Sequence, residues 1–206
     1  MEDQRKPKVS VLIPCYNLGS LITRCLESIP VRDDIEVIVV DDCSTDNTLD
    51  LVLDFWNKSD LNMRVKRHKV NKGASVVMNT LFDSAEGEYV YQMDGDDYLY
   101  TEEWEKAFEY LDGIDMVYVN AKTNDGTILN KMDEITNPYW CAGWFKFIRR
   151  EYLGDERRVY NAYGGDYEMN CSLVNKAHSA VFTGLLAYHY NYPREGSIIW
   201  NLTHEV

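Results

Sequence analysis

The sequence predicts an α/β protein: one domain with a mostly parallel central sheet flanked by helices. Three observations carry this. Short apolar, β-branched runs alternate with segments whose apolar residues recur at helical spacing, over most of the first hundred residues. Three of the strand-like runs end in motifs that carry polar or acidic residues, where such sheets open their ligand crevice. At 206 residues, with 45% hydrophobic and 27% charged content, the chain can bury one core, and it shows no repeat, low-complexity stretch or interdomain linker.

Val9-Ser-Val-Leu-Ile13, closed by Pro14, reads as a buried parallel strand. Leu18, Leu21, Ile22, Cys25, Leu26 and Ile29 then keep helical spacing until Pro30 stops them. Ile35–Val40 is a second strand running into Asp41-Asp42-Cys43-Ser44-Thr45, and a helix follows through Leu49, Leu53 and Trp56. Arg64–His68 is a third, more polar strand. Asn71-Lys72-Gly73 turns into a helix with Val76, Val77, Thr80 and Leu81 on its apolar side. Tyr89–Met93 is the fourth strand and opens into Asp94-Gly95-Asp96-Asp97, with Gly95 expected to allow a sharp bend. Further on, Trp104, Phe108 and Leu111 mark a helix, Met116–Asn120 a strand, and Asn124-Asp125-Gly126 a hairpin turn into Thr127-Ile-Leu. The stretch 137–150 is aromatic-rich. A helix begins at Asp166 and runs through Met169, Leu173 and Val174, and Ala180–Phe182 and Leu185–Tyr190 are terminal strand-like runs.

The formal net charge is −13, from 21 basic and 34 acidic residues, which removes the general electrostatic footprint for nucleic acid or an anionic membrane. Five cysteines at 15, 25, 43, 141 and 171 form no CxxC pair, so neither zinc nor a disulfide framework is expected. Reduced thiols, the lack of an N-terminal secretory pattern and the lack of a membrane-length apolar run make a cytoplasmic protein the expectation. The sequons at Asn57 and Asn201 then carry no meaning.

Three carboxylates around one glycine repel one another unless a cation lies among them. Hard oxygen donors suit Mg²⁺ or Mn²⁺, ions that usually arrive with substrate phosphates. A solvated acidic turn capping the helix near Thr101 has the same composition and remains the alternative at this point. The shared position of Pro14-Cys15-Tyr16-Asn17, Asp41-Asp42 and the acidic turn at strand ends favours a nucleotide-type ligand spanning several strands.

Val9-Ser-Val-Leu-Ile-Pro-Cys-Tyr-Asn17, Val39-Val-Asp-Asp-Cys-Ser-Thr-Asp46, Asn71-Lys-Gly73 and Met93-Asp-Gly-Asp-Asp97, in that order, resemble the family 2 nucleotide-sugar glycosyltransferases. Trp144–Glu151, Gly165-Asp166-Tyr-Glu168 and Arg194-Glu-Gly-Ser197 are similar to that family's acceptor-side and closing segments. The resemblance implies a single domain of the A-type glycosyltransferase fold, GT-A. Its nucleotide-sugar half would cover about residues 8–100 and its acceptor half 101–206. It also implies a UDP-sugar donor, Mn²⁺ or Mg²⁺, a saccharide or glycoconjugate acceptor, and inversion at the anomeric carbon.

By that resemblance Asp96 and Asp94 would hold the metal, with Asp97 an alternative ligand and His189 a further candidate. Tyr16 would lie on the uracil face, Asp42 would accept its imide N–H, and Pro14 would shape the pocket. Lys72 would add charge near the nucleotide, Asp94 would also reach the ribose, and Arg194 would steady the diphosphate from a closing loop. Asp166 would be the general base, although this chain has Gly165-Asp166 where the family has Glu-Asp. Trp144, with Trp140, would offer an acceptor sugar a stacking face, against the commoner reading of such aromatics as core. The Gln-x-x-Arg-Trp signature of processive synthases is absent from the sequence, favouring single additions. Two rivals remain: a silent nucleotide-sugar-binding module, and a nucleotidyltransferase, which would normally carry a glycine-rich basic loop after its first strand.

Overall fold

The computed structural model describes residues 6–129, 142–159 and 165–195. Trp140, Cys141, Tyr163, Ser197 and Asn201 lie outside the described residues. In chain order the elements are β1 (Val9–Cys15), α1 (Leu21–Glu27), β2 (Ile35–Asp41), α2 (Thr48–Lys58), β3 (Met63–Arg67), α3 (Ala74–Ser84), β4 (Tyr89–Gln92), β5 (Tyr98–Leu99) and α4 (Thr101–Lys106), which ends in a 3-10 turn, Ala107–Tyr110. There follow β6 (Met116–Thr123), β7 (Ile128–Leu129), β8 (Lys146–Arg149), α5 (Arg150–Leu153), α6 (Asp166–Lys176) and β9 (Ala180–Tyr190).

Among the described residues all nine strands join one sheet in the order β3-β2-β1-β4-β8-β6-β9-β5, with β7 beside β6. The first half is parallel, as the alternation of strands and helices requires. The second half is mixed: β8 enters antiparallel between β4 and β6, and β9 lies parallel to β6. Right-handed crossovers place α1 and α2 on one face and α3 on the other, so the winding reverses between β1 and β4. That reversal point is where the crevice opens.

β1 and β2 are buried along nearly their whole length because helices cover both faces, which is why they read as continuous apolar runs. Each fully buried Val, Ile or Leu there contributes about 1.5–3 kcal/mol over exposure. β1 continues through Pro14 to Cys15, two strand positions further than the sequence suggested. The missing N–H is tolerated because β4 has ended by then: its last paired residue, Gln92, stands opposite Leu12.

The face of α2 differs from the sequence expectation. α2 buries Thr48 and Val52 and packs Leu51 and Phe55 against the core, whereas Trp56 is 41% exposed. Thr48 takes the inward face because its hydroxyl accepts the Leu18 and Gly19 amides, at 2.7 and 3.0 Å, and so staples the β1–α1 turn. The aromatic-rich stretch contains β8, whose Phe147 packs at 4.5 Å from Tyr91 and 5.4 Å from Trp104. The two terminal runs are one strand, β9, with an irregular register against β6. The Asn124–Gly126 turn joins β6 to β7 as an antiparallel hairpin.

Candidate active site

The register brings the strand ends level. Cys15 stands opposite Asp41, and Leu12 opposite Gln92, so Tyr16, Asp42 and Asp94 emerge along one rim. Two non-glycine residues on this rim, Asn17 (φ 50°) and Cys43 (φ 64°), hold left-handed backbone. Such strain is rarely kept without compensation. Here Asn17 Oδ1 accepts the Thr45 amide at 2.8 Å and Ser44 Oγ accepts the Asn17 amide at 3.0 Å, locking the two loops together. Tyr16 is left 46% exposed at the mouth.

Asp42 is 3% exposed and organises the adjoining loop. Its carboxylate accepts the backbone N–H of Lys72 (3.0 Å) and Gly73 (2.8 Å), and Nδ1–H of His68 at 2.7 Å. The Lys72 amide is shared between both carboxylate oxygens, so the three donors give each oxygen two contacts. His68 was not singled out by any spacing in the sequence. The Lys72 side chain stays exposed on the same loop.

Gly95 is required by close approach and not by a left-handed bend, since a Cβ would lie 2.5 Å from Leu18 Cδ1 and 3.2 Å from the Pro14 carbonyl oxygen. The acidic turn therefore presses directly onto the end of β1. Asp94 Oδ1 accepts from Gln92 Nε2 at 2.9 Å, and its backbone N–H is bound by the Tyr188 hydroxyl at 3.1 Å. Burial, reinforced by the charge of Asp96, pushes the Asp94 carboxyl up to about 6. Asp96 receives both Nε (2.8 Å) and Nη2 (2.7 Å) of Arg194 on Oδ2. A guanidinium from the segment after β9 is thus already drawn to this carboxylate.

Asp97 and His189 do other work. Asp97 is fully buried, accepting the Tyr188 hydroxyl at 2.5 Å and the Asn191 amide at 2.8 Å, and burial pushes its carboxyl well up. It ties the acidic turn to β9 and has no oxygen turned to the crevice without a partner. His189 stacks on Tyr98 at 4.2 Å, with Nδ1 on the Tyr100 hydroxyl and Nε2 on Asn124 Oδ1, both at 2.9 Å. Both ring nitrogens are therefore taken, and burial holds the ring's proton affinity low. Trp144 is 6% exposed and sandwiched with Tyr188 (5.0 Å) and Tyr190 (4.9 Å), so its faces serve the core and not an acceptor.

Asp166 is the first residue of α6 and follows Gly165 at φ 69°. A Cβ on Gly165 would overlap the Val159 carbonyl oxygen and crowd Ser75 Oγ, so no acidic residue fits there. Ser75 sits in the first turn of α3 and donates to that carbonyl at 3.2 Å, linking Asp166 to the loop that Asp42 holds. Asp166 also lies close enough to Asp94 and Arg158 to act on the proton affinity of each. Arg158, missed in the sequence because it sits in the charged run Asp155–Arg158, is 7% exposed and donates to Gln92 Oε1. Gln92 thereby joins Asp94 to Arg158, Ser75 joins the Asp42 loop to Val159, and Asp166 bears on Asp94 and Arg158 through its charge. The Cys15 and Cys25 thiols, pushed well up by burial, are not nucleophiles.

Among the described residues no group of three or more His, Cys, Asp or Glu converges as a metal cage. The donor chemistry nevertheless suits Mg²⁺ or Mn²⁺, ions held by one or two carboxylates plus substrate phosphates. Asp94 and Asp96 are such a pair. Their mutual repulsion and the guanidinium drawn to Asp96 mark a place that favours positive charge. No helix among the described residues is long and apolar enough to cross a membrane.

Residues 10–165 match the family model for glycosyl transferase family 2. Poly(ribitol-phosphate) β-N-acetylglucosaminyltransferase TarS of Staphylococcus aureus is 40% identical over 110 residues, covering 51% of this chain and 19% of that protein. The putative teichuronic acid biosynthesis glycosyltransferase TuaG of Bacillus subtilis is 37% identical over 108 residues, 52% of this chain and 42% of its own length. The chain thus aligns with less than half of these relatives. The crystal structure of S. aureus TarS in complex with UDP-GlcNAc superposes with a TM-score of 0.83 at 26% identity, covering 93% of this chain and 60% of that one. The mannosyltransferase PcManGT of Pyrobaculum calidifontis, in complex with GDP-Man and Mn²⁺, shares the fold at a TM-score of 0.75 and 20% identity. The match across most of the chain places it in glycosyl transferase family 2.

Proposed function

We propose that this chain is an inverting, metal-dependent glycosyltransferase that moves a sugar from a UDP-sugar to a hydroxyl of a saccharide or glycoconjugate. The single observation that supports the reading is the level ending of β1, β2 and β4 beside Tyr16, Asp42 and Asp94 at the switch point of the sheet, with the charges of Asp96 and Asp166 bearing on Asp94. Names of the relatives support the chemistry: TarS was crystallised with UDP-GlcNAc and is named a poly(ribitol-phosphate) β-N-acetylglucosaminyltransferase, and TuaG is named a putative teichuronic acid biosynthesis glycosyltransferase.

Tyr16 stacks on the uracil, as its exposure at the mouth permits. Asp42 accepts the imide N–H by sharing the carboxylate that also holds the Asn71–Gly73 loop in place. Lys72 adds charge on the phosphate side, and Pro14 keeps the β1 terminus rigid under the acidic turn. Asp94 and Asp96 hold the Mg²⁺ or Mn²⁺, which when bound would neutralise charge on the departing diphosphate. Arg194 exchanges Asp96 for the diphosphate as donor arrives, since phosphate oxygens accept the same Nε and Nη2 donors that Asp96 Oδ2 now holds. Asp166 takes the proton of the acceptor hydroxyl as that oxygen attacks the anomeric carbon. Attack from the Asp166 side, opposite the diphosphate, inverts the anomeric configuration. A nucleotide donor and free cysteines fit a cytoplasmic enzyme.

Gly165 favours an enzyme over a silent binding module: packing against Val159 explains the missing acidic neighbour without any loss of Asp166. The test is UDP-sugar hydrolysis with Mn²⁺ in wild type and Asp166→Asn. The reading expects turnover to fall about 10²–10⁴-fold with donor affinity retained. Equal turnover in the two proteins would remove Asp166 from the chemistry.

A further inference from the structure

Arg157 and Arg158 are neighbours in a charged run, yet their surroundings are opposite. Arg157 pairs with Asp83 at 2.7 Å on the surface, whereas Arg158 is buried beneath the rim. The Arg158 backbone is clamped by Asn79 of α3, whose side chain both accepts from and donates to it at 2.9 Å. Arg158 Nη2 donates to Gln92 Oε1, and Gln92 Nε2 donates to Asp94 Oδ1 at 2.9 Å. The polarity of this line is fixed: arginine can only donate, so the Gln92 amide oxygen must face it and the NH₂ must face Asp94. The facing wall is bare backbone, because a Cβ on Gly143 would overlap Gln92 Oε1 and reach Arg158 Nη2 at 2.7 Å. Burying a guanidinium is costly unless it is paired, and among the described residues Asp166 and Asp94 raise its proton affinity.

We propose that Arg158 is a positioning residue for sugar transfer: acting through Gln92, it aims the Asp94 carboxylate into the donor site, and its fixed charge lets Asp94 and Asp166 share one pocket. This rests on the function proposed above. Gln92 occupies Asp94 Oδ1 and leaves Oδ2 for the donor side, so losing the line lets the carboxylate turn. A misplacement of about 1 Å in such a site costs about 10²-fold in rate.

The experiment compares Arg158→Met, Arg158→Lys, Gln92→Met, the Arg158→Met/Gln92→Met double variant and Gln92→Glu with wild type. It measures UDP-sugar turnover and the Mn²⁺ concentration that half-saturates UDP-dependent thermal stabilisation. Arg158→Met is expected to lower kcat about 10²-fold and raise the Mn²⁺ requirement about tenfold, with the double variant no worse than the singles. Arg158→Lys keeps the charge and loses the planar fork, so it falls between. A purely structural role would lower Tm alone, and that result, or additive effects of the two Met substitutions, overturns the proposal. If Arg158→Met fails to fold, Gln92→Glu decides, because it keeps a partner for Arg158 but presents Asp94 with a second acceptor. A wild-type Mn²⁺ requirement in that variant overturns the proposal. Should wild type itself respond to no sugar nucleotide, the functional reading falls on its own. The positioning role is then decided by crystal structures of wild type and Gln92→Glu, where an unmoved Asp94 side chain overturns it.

Discussion

Asp94 shows how a single residue carries both the cost and the use of the site. Its carboxyl, pushed up to about 6 from an ordinary 3.8, is protonated more readily in the folded chain than in the unfolded one. The stability this gives is full below pH 3.8 and is lost as pH rises through about 6. Metal-free protein should therefore lose stability between pH 4 and 7 on this account. Asp94→Asn should raise the pH 7 stability by about 1–2 kcal/mol, less than the full ~3 kcal/mol of the shift because solvent screens part of it. Denaturant melts of the two proteins without metal check this, and the variant should at the same time lose Mn²⁺-dependent UDP binding. Gly165 is the second decisive residue. Gly165→Glu, which would restore the acidic pair seen in the family, should destabilise the chain by about 2 kcal/mol or more, because the side chain meets the Val159 carbonyl at a left-handed φ. Thermal melts would show it.

At the scale of elements, the sequence read the parallel half well and the mixed half poorly, for a physical reason. β1, β2 and β4 are covered by helices and neighbouring strands on all sides, so their composition alone marks them. β8 carries Lys146, fully buried with its ammonium 5.1 Å from the Phe145 ring centroid, in place of the apolar residue that a pattern search expects. The face of α2 was misread because Thr48, a capping type by composition, points inward as a loop staple. Tyr16, Asp42, Asp94, Asp96 and Asp166 were legible as site candidates because they sit in short motifs at strand and helix ends. Arg158, Gln92 and His68 were not, since their roles come from contacts across 26 to 66 residues of chain. The second half is instead anchored at Asp115, ahead of β6. It pairs with Arg149 at 2.6 Å and accepts the His178 and Ser179 amides at 3.0 and 3.2 Å. Burial pushes its carboxyl up, but Arg149 and the two amides outweigh that and hold it below the usual range. Its stabilisation is present above pH 4 and is lost as acid protonates it. Asp115→Ala should cost about 3–5 kcal/mol, read as a lowered urea midpoint at pH 7 that converges on wild type in acid.

Across the whole molecule, a chain of net charge −13 concentrates its few useful cations where an anionic ligand would arrive. Arg194 lies on Asp96, Arg158 lies under Asp94 and Asp166, and Lys72 stands exposed on the Asp42 loop. The mixed half returns β9 and its following segment over the acidic turn through Tyr188, Asn191 and Arg194. On the proposed function, donor binding would be coupled to that segment through one acidic turn. The most direct measurement is UDP affinity by calorimetry, with and without Mn²⁺, for wild type and Asp96→Asn. The account predicts UDP binding that tightens at least tenfold with Mn²⁺ in wild type and does not tighten in Asp96→Asn. UDP binding that ignores Mn²⁺, or that responds equally in the variant, would contradict it.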